Sequence, residues 1–285
     1  MGSFSAYLSC RKATQMLNKS SIILPSCLLL LAACGGNNKS EPDTTSPVTE
    51  KMIWSEEFNY TGLPDSSKWS YDVGGQGWGN NELQFYTEKR SENARVENGN
   101  LVIEAKKENW QTKGYTSARL ITKGKPDWKF GRIEVKAKIP AGRGTWPAVW
   151  MLASTNPLKW PDDGEIDIME HVGFDQGRVH GSIHSKKYNH VIGTQKTATT
   201  MVPDCSTAFH VYGLQWTEDS IKVSIDGSAF FTFANERSGK DAWPFDQPFH
   251  LLLNIAVGGN WGGQKGVDDS IFPVRMEVDY VRVYQ

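Results

Sequence analysis

The sequence predicts an all-β fold, two antiparallel sheets packed as a sandwich. Three observations lead there. From Gly131 to Ile139 the chain alternates strictly, with Ile133, Val135, Ala137 and Ile139 apolar and Arg132, Glu134, Lys136 and Lys138 charged. That is a strand with one face in a core and the other in water. Hairpin dipeptides, Asn98-Gly99 and Asp226-Gly227, sit beside strand-like runs. No long segment carries a 3.6-residue period, and no internal repeat is visible.

The segments follow in order. Residues 1–33 read as a lipoprotein signal peptide. Arg11, Lys12 and Lys19 precede an apolar run through Leu28-Leu29-Leu30-Leu31 that suits a signal core and falls short of the roughly 20 residues a bilayer span needs. The run ends in Leu31-Ala32-Ala33-Cys34, a lipobox, so cleavage before Cys34 and acylation of its thiol are expected. Met16 offers a tidier start than Met1. Residues 34–50 are a Gly-, Asn-, Ser- and Pro-rich tether without apolar periodicity, reaching roughly 50 Å at ~3.5 Å per residue. Residues 51–285 form the folded domain. Its strands include Leu101–Ala105 after the Asn98-Gly99 turn, Gly131–Ile139, Ile221–Ile225 before Asp226-Gly227, and Met276–Tyr284 at the end.

Composition narrows the function. The 285 residues carry 31 Lys+Arg against 32 Asp+Glu, so no basic excess supports binding to nucleic acid. Of the four Cys, Cys10 and Cys27 leave with the leader and Cys34 carries lipid. Cys205 is then alone, which excludes an intrachain disulfide. Eleven Trp, with 9 Tyr and 12 Phe, offer flat faces suited to a sugar ligand.

The most informative segment is Gly164-Glu165-Ile166-Asp167-Ile168-Met169-Glu170-His171. Strand alternation puts Glu165 and Asp167 on one face, and Glu170 is out of step by one. A β-bulge at Met169 brings it back, making a row of three carboxylates. Apolar Ile166 and Ile168 mark a central strand. On the next strand His180, Ser182 and His184 share a face, as do Trp146, Ala148 and Trp150 on another.

The run Glu165-Ile166-Asp167-Ile168-Met169-Glu170 resembles the active-site signature of glycoside hydrolase family 16. Trp78–Tyr86, Ser117–Leu120, Gly144–Trp150 and Val179–His184 are similar to its laminarinase-type members. The resemblance covers about residues 52–285. It implies a β-jelly-roll sandwich with a concave substrate cleft, and retaining endo-hydrolysis of β-1,3-glucan. It also implies Glu165 as nucleophile, Glu170 as acid/base and Asp167 as the assisting carboxylate.

Substrate contacts are expected from Asn81, Arg119, Trp146, Trp150, His184 and Trp261. Arg119 either donates a guanidinium fork to sugar hydroxyls or closes a structural ion pair, and Trp261 either reaches substrate or packs its loop. His184 is expected to touch either the acid/base or the leaving-group sugar. No cofactor is expected for catalysis. Many family members carry a structural calcium, and Glu57, the Gly99 carbonyl and Asp279 resemble its oxygen-only ligand set.

The alternatives are an agarase or carrageenase of the same family, and a noncatalytic glycan-binding lipoprotein. Lichenases usually lack the residue matching Met169. The protein is expected as a monomer whose partners are β-glucan and, through the lipid, a membrane. Gly35 after the Cys carries no inner-membrane retention signal, which places it at the outer membrane of a bacterial envelope.

Overall fold

The computed structural model describes residues 50–285. The expected leader, Cys34 and all of the tether but Glu50 lie outside the described residues. Residues Thr49–Gln285 make one unit. No helix among the described residues is long and apolar enough to cross a membrane.

Seventeen strands carry the chain. The first seven are β1 (Met52–Glu56), β2 (Ser70–Tyr71), β3 (Gln84–Tyr86), β4 (Ala94–Glu97), β5 (Asn100–Trp110), β6 (Lys113–Ser117) and β7 (Arg119–Ile121). Asn98 and Gly99, at φ 53° and 75°, turn β4 into β5 with both central residues left-handed, the geometry that favours Asn-Gly. The middle of the chain gives β8 (Gly131–Lys138), β9 (Thr145–Ala153), β10 (Glu165–His171), β11 (Arg178–His184) and β12 (Lys196–Met201). The remainder gives β13 (His210–Trp216), β14 (Ser220–Ile225), β15 (Ser228–Ala234), β16 (Phe249–Val257) and β17 (Val274–Tyr284).

These strands form two sheets. One runs β15-β14-β13-β8-β17-β5-β6-β3, with β1 added to β17 and β4 to β5, and the other runs β12-β11-β10-β9-β16-β7-β2. The expectation of purely antiparallel sheets fails at one edge, where β3 and β6 pair in parallel. Two antiparallel pairings, β4 with β5 and β5 with β6, intervene and return β6 in the direction of β3.

The core lies between the sheets. Ile133, Val135, Ala137 and Ile139 are all buried there, as the alternation predicts, each of the larger ones stabilising by about 1.5–3 kcal/mol. Every residue of β16 is buried, so this strand is covered on its second face as well. Leu252 packs there with Ile121, Leu152, Trp150 and Leu158, and the segment entering β3 closes the far end of the strand. Leu83 N–H donates to the Val257 carbonyl, and Val257 N–H donates to Gln84 Oε1 at 2.8 Å.

Candidate active site

β10 is central in its sheet, with β9 and β11 on either side. It starts from Gly164, whose φ is +92° and where a Cβ would meet Pro244 Cγ at 2.8 Å. Glycine alone makes that turn without strain. Within β10, Asp167 faces Trp150 of β9 and the next paired residue, Met169, faces Val149. Against β11, Asp167 faces Ser182 and Glu170 faces His180. Ile168 and Met169 together therefore oppose the single residue Gly181, which is a bulge. Both bulge side chains are fully buried in the core. Glu165, Asp167 and Glu170 all project from the opposite face, and Glu165 and Glu170 line a cavity of about 290 Å³.

Each of the two glutamates has its own donor. Trp160 Nε1 donates to Glu165 Oε2 at 2.8 Å, and Trp146 Nε1 to Glu170 Oε1 at 3.0 Å. His184 lies opposite Glu165 in the strand register. Its Nε2 is 3.3 Å from Asp167 Oδ2 and 3.8 Å from Glu165 Oε1. His184 thus lies at the Glu165–Asp167 end of the row, and beyond the bulge His180 comes opposite Glu170.

Burial is the largest cause raising all three carboxyls above their ordinary range. The charge of Asp167 adds to it at Glu165, that of Glu170 at Asp167 and that of Glu165 at Glu170. His184 opposes the rise at both glutamates, helped by the Trp160 indole at Glu165 and the Trp146 indole at Glu170. Three carboxyls this close do not all ionise at neutral pH, so the row retains a proton.

The cleft floor continues across β9, β16 and β7. Arg119 is sandwiched between the Trp78 and Trp150 rings, at 4.8 and 4.6 Å, and its Nε lies 2.9 Å from Asp72. Arg119 therefore closes the expected ion pair and also lines the cavity. Trp150 Nε1 donates to Asn254 Oδ1 at 2.7 Å, and Asn254 Nδ2 to Tyr86 Oη at 3.0 Å. Tyr86 Oη and Gln84 Nε2 both donate to Glu82 Oε2, at 3.2 and 2.6 Å. Glu82 is buried on the cavity wall. Burial is the main cause raising its carboxyl.

Other expected residues are placed differently. Asn81 has φ 55° and is exposed, and its Nδ2 donates to Asn260 Oδ1 at 2.8 Å. That backbone turn leaves Asn80, not Asn81, on the cavity wall. Trp261 packs edge-on against His180 and Trp146, at 4.8 and 5.4 Å between ring centres, which braces Trp146 rather than lining the cavity. Glu57 follows β1, Gly99 precedes β5, and Asp279 sits in a bulge of β17 between Val278 and Tyr280, the strand that pairs with both β1 and β5. There Arg282 holds both Glu57 oxygens, at 2.9 and 2.8 Å, and Lys136 Nζ is 2.7 Å from Asp279. A calcium ion entering this oxygen set would have to displace both cations.

Trp78, Trp160, Glu82 and Asn254 are the site residues that the sequence reading does not single out. Asn254 leaves a trace, a lone amide within the apolar run Leu251–Val257. Trp160 leaves none, since it sits in the loop before β10. A larger groove of about 810 Å³, lined by Tyr60, Trp69 and Tyr71, lies outside the cleft and holds none of the clustered carboxylates.

A two-sheet sandwich with an indole-walled cleft and a row of carboxyls along its floor defines a polysaccharide-cleaving glycosidase. The profile of "Glycosyl hydrolases family 16" matches residues 81–282, and the chain belongs to that family. It is 51% identical over 282 residues to a beta-glucanase of Rhodothermus marinus, spanning 96% of each chain. It also resembles the solved laminarinase of Rhodothermus marinus, with a TM-score of 0.82 and 55% identity over 83% of this chain and 97% of that one. A non-specific endo-beta-1,3(4)-glucanase of family GH16 matches with a TM-score of 0.81 and 51% identity, covering 84% of this chain and 92% of that one.

Proposed function

We propose that the protein hydrolyses internal β-1,3 linkages of laminarin-type glucans with retention of configuration. The observation that carries this is the bulge in β10, which sets Glu165 and Glu170 on one cleft wall with Asp167 between them. The related beta-glucanase and laminarinase support the substrate class.

Glu165 is the nucleophile. Trp160 holds its Oε2, which leaves Oε1 to attack the anomeric carbon. Glu170, kept protonated by burial and by the charge of Glu165, gives its proton to the departing glycosidic oxygen. A glycosyl ester on Glu165 results, and the negative charge beside Glu170 is gone. Glu170, now ionised, takes a proton from water, whose oxygen attacks the same carbon and releases Glu165. Asp167 and His184 align Glu165 between these steps. Trp146 and Trp150 provide the stacking surface.

Release of reducing ends from laminarin, lichenan, agarose and carrageenan tests the assignment. Laminarin is expected to be the best substrate. Faster cleavage of agarose or carrageenan identifies the alternative activity, and no cleavage of any of them leaves a glycan-binding lipoprotein.

We also propose that Cys34 is acylated and anchors the domain to the envelope, and that Glu57, the Gly99 carbonyl and Asp279 hold a structural calcium. Calcium would tie β1 and the β4–β5 turn to β17 without entering the chemistry. At 100 times its dissociation constant, such an ion stabilises by about 2.7 kcal/mol. A melting temperature unchanged by added calcium counts against the site.

A further inference from the structure

We propose that a divalent transition-metal ion of the zinc type binds across Glu165, Asp167 and His184 and shuts the enzyme down reversibly. Three ligand atoms, one from each residue, lie within 4.8 Å of one another. Two of the separations are 3.3 Å, His184 Nε2 to Asp167 Oδ2, and 3.8 Å, His184 Nε2 to Glu165 Oε1. A tetrahedral ion with bonds of about 2.0–2.1 Å needs ligand atoms roughly 3.3–3.4 Å apart. A small rotation of the Glu165 carboxylate closes the set.

A second observation points to a ligand. Asp167 is 1% exposed, and its buried Oδ2 has no hydrogen-bond donor. The His184 nitrogen beside it is close enough but misaligned. An unpaired buried carboxylate oxygen is costly, and a cation completes it. The His184 ring is held by packing, 6.0 Å from the Trp160 ring and 5.2 Å from that of His190.

The donor chemistry selects the metal. One imidazole and two carboxylates suit zinc, cobalt, nickel or copper, whereas calcium and magnesium take oxygen alone. Of the three ligands, Glu165 lines the cleft cavity. Inhibition follows from the oxygens used. Trp160 already holds Glu165 Oε2, and the metal takes Oε1, so neither oxygen can reach an anomeric carbon. A dication also neutralises the row that must keep one charge to react.

The test needs no turnover. Cobalt(II) titrated into chelator-treated enzyme is expected to give the intense visible bands of a tetrahedral site at one equivalent. Zinc and a soluble β-1,3-gluco-oligosaccharide should each abolish them. His184→Gln and Asp167→Asn, each checked for native melting, should bind cobalt at least about tenfold more weakly. In parallel, zinc should inhibit laminarin hydrolysis competitively, and a chelator should restore it. Weak octahedral bands, or unchanged affinity in both variants, overturn the proposal, the latter by placing the metal on other histidines such as His171 and His180. Tight zinc binding without loss of activity also overturns it.

Discussion

Glu165 is buried among like charges, and that burden has a measurable sign. All three carboxyls of the row are raised in the folded chain, so the native row holds a proton that the unfolded state releases near the ordinary carboxylate value. Stability therefore falls as pH climbs from about 4.5 through neutrality. Glu165→Gln removes the charge. It is expected to cut turnover by at least about 10⁴-fold while raising the melting temperature at pH 8 by roughly 2–4 °C per kcal/mol recovered, with little change at pH 4.5. A variant that is active, or less stable than the parent at pH 8, refutes this reading. Glu170→Ala should lose laminarin turnover yet keep attack on a substrate with an activated leaving group, which needs little protonation. Azide should then release a β-glycosyl azide, and its absence would move the acid/base elsewhere. At this scale the sequence shows the three carboxyls, because alternation and one bulge suffice to align them. It conceals their donors. Trp160 comes from a loop, and the pairing of His184 with Glu165 depends on a cross-strand register that no local pattern encodes.

The bulge itself is the element on which the site turns. Ile168 and Met169 both enter the core, so the strand gains a buried side chain as well as a bend. Deleting Met169 keeps Glu170 on the cleft face through simple alternation but removes that buried side chain. A cost of about 2–5 kcal/mol for losing a buried Met, a folded enzyme and weaker laminarin kinetics are expected. Kinetics and product pattern identical to the parent would show that the bulge does not set the cleft. The alternating strands are legible because one face of each meets water. β16 is less so, because both faces are covered and periodicity vanishes. The parallel pairing of β3 with β6 arises from the path of the intervening hairpin, which no local pattern encodes. Asn80 and Asn81 are likewise indistinguishable until the left-handed φ of Asn81 turns its side chain away.

For the whole molecule, the described domain accounts for recognition and chemistry, and the expected leader for location. On the proposed acylation, two or more acyl chains on Cys34, each buried methylene contributing about 0.8 kcal/mol, would make release from a membrane negligible. Cys34→Ser is expected to move the enzyme from the membrane fraction to the soluble fraction with unchanged specific activity. A variant that stays in the membrane fraction as firmly as the parent places the anchor elsewhere. The fold was open to reading because its strands repeat one simple pattern, whereas the site joins residues from the 78–82 segment, β7, β9, β10, β11 and β16 that only tertiary pairing assembles. The account rests on a covalent glycosyl ester at Glu165. Incubating the enzyme with a 2-deoxy-2-fluoro glucoside bearing an activated leaving group, then mapping peptides by mass spectrometry, tests it most directly. A stable adduct on the peptide containing Glu165, localised to that side chain, is the predicted result. An adduct on Glu170 or Asp167, or turnover through the α-anomer with no adduct at all, would contradict it.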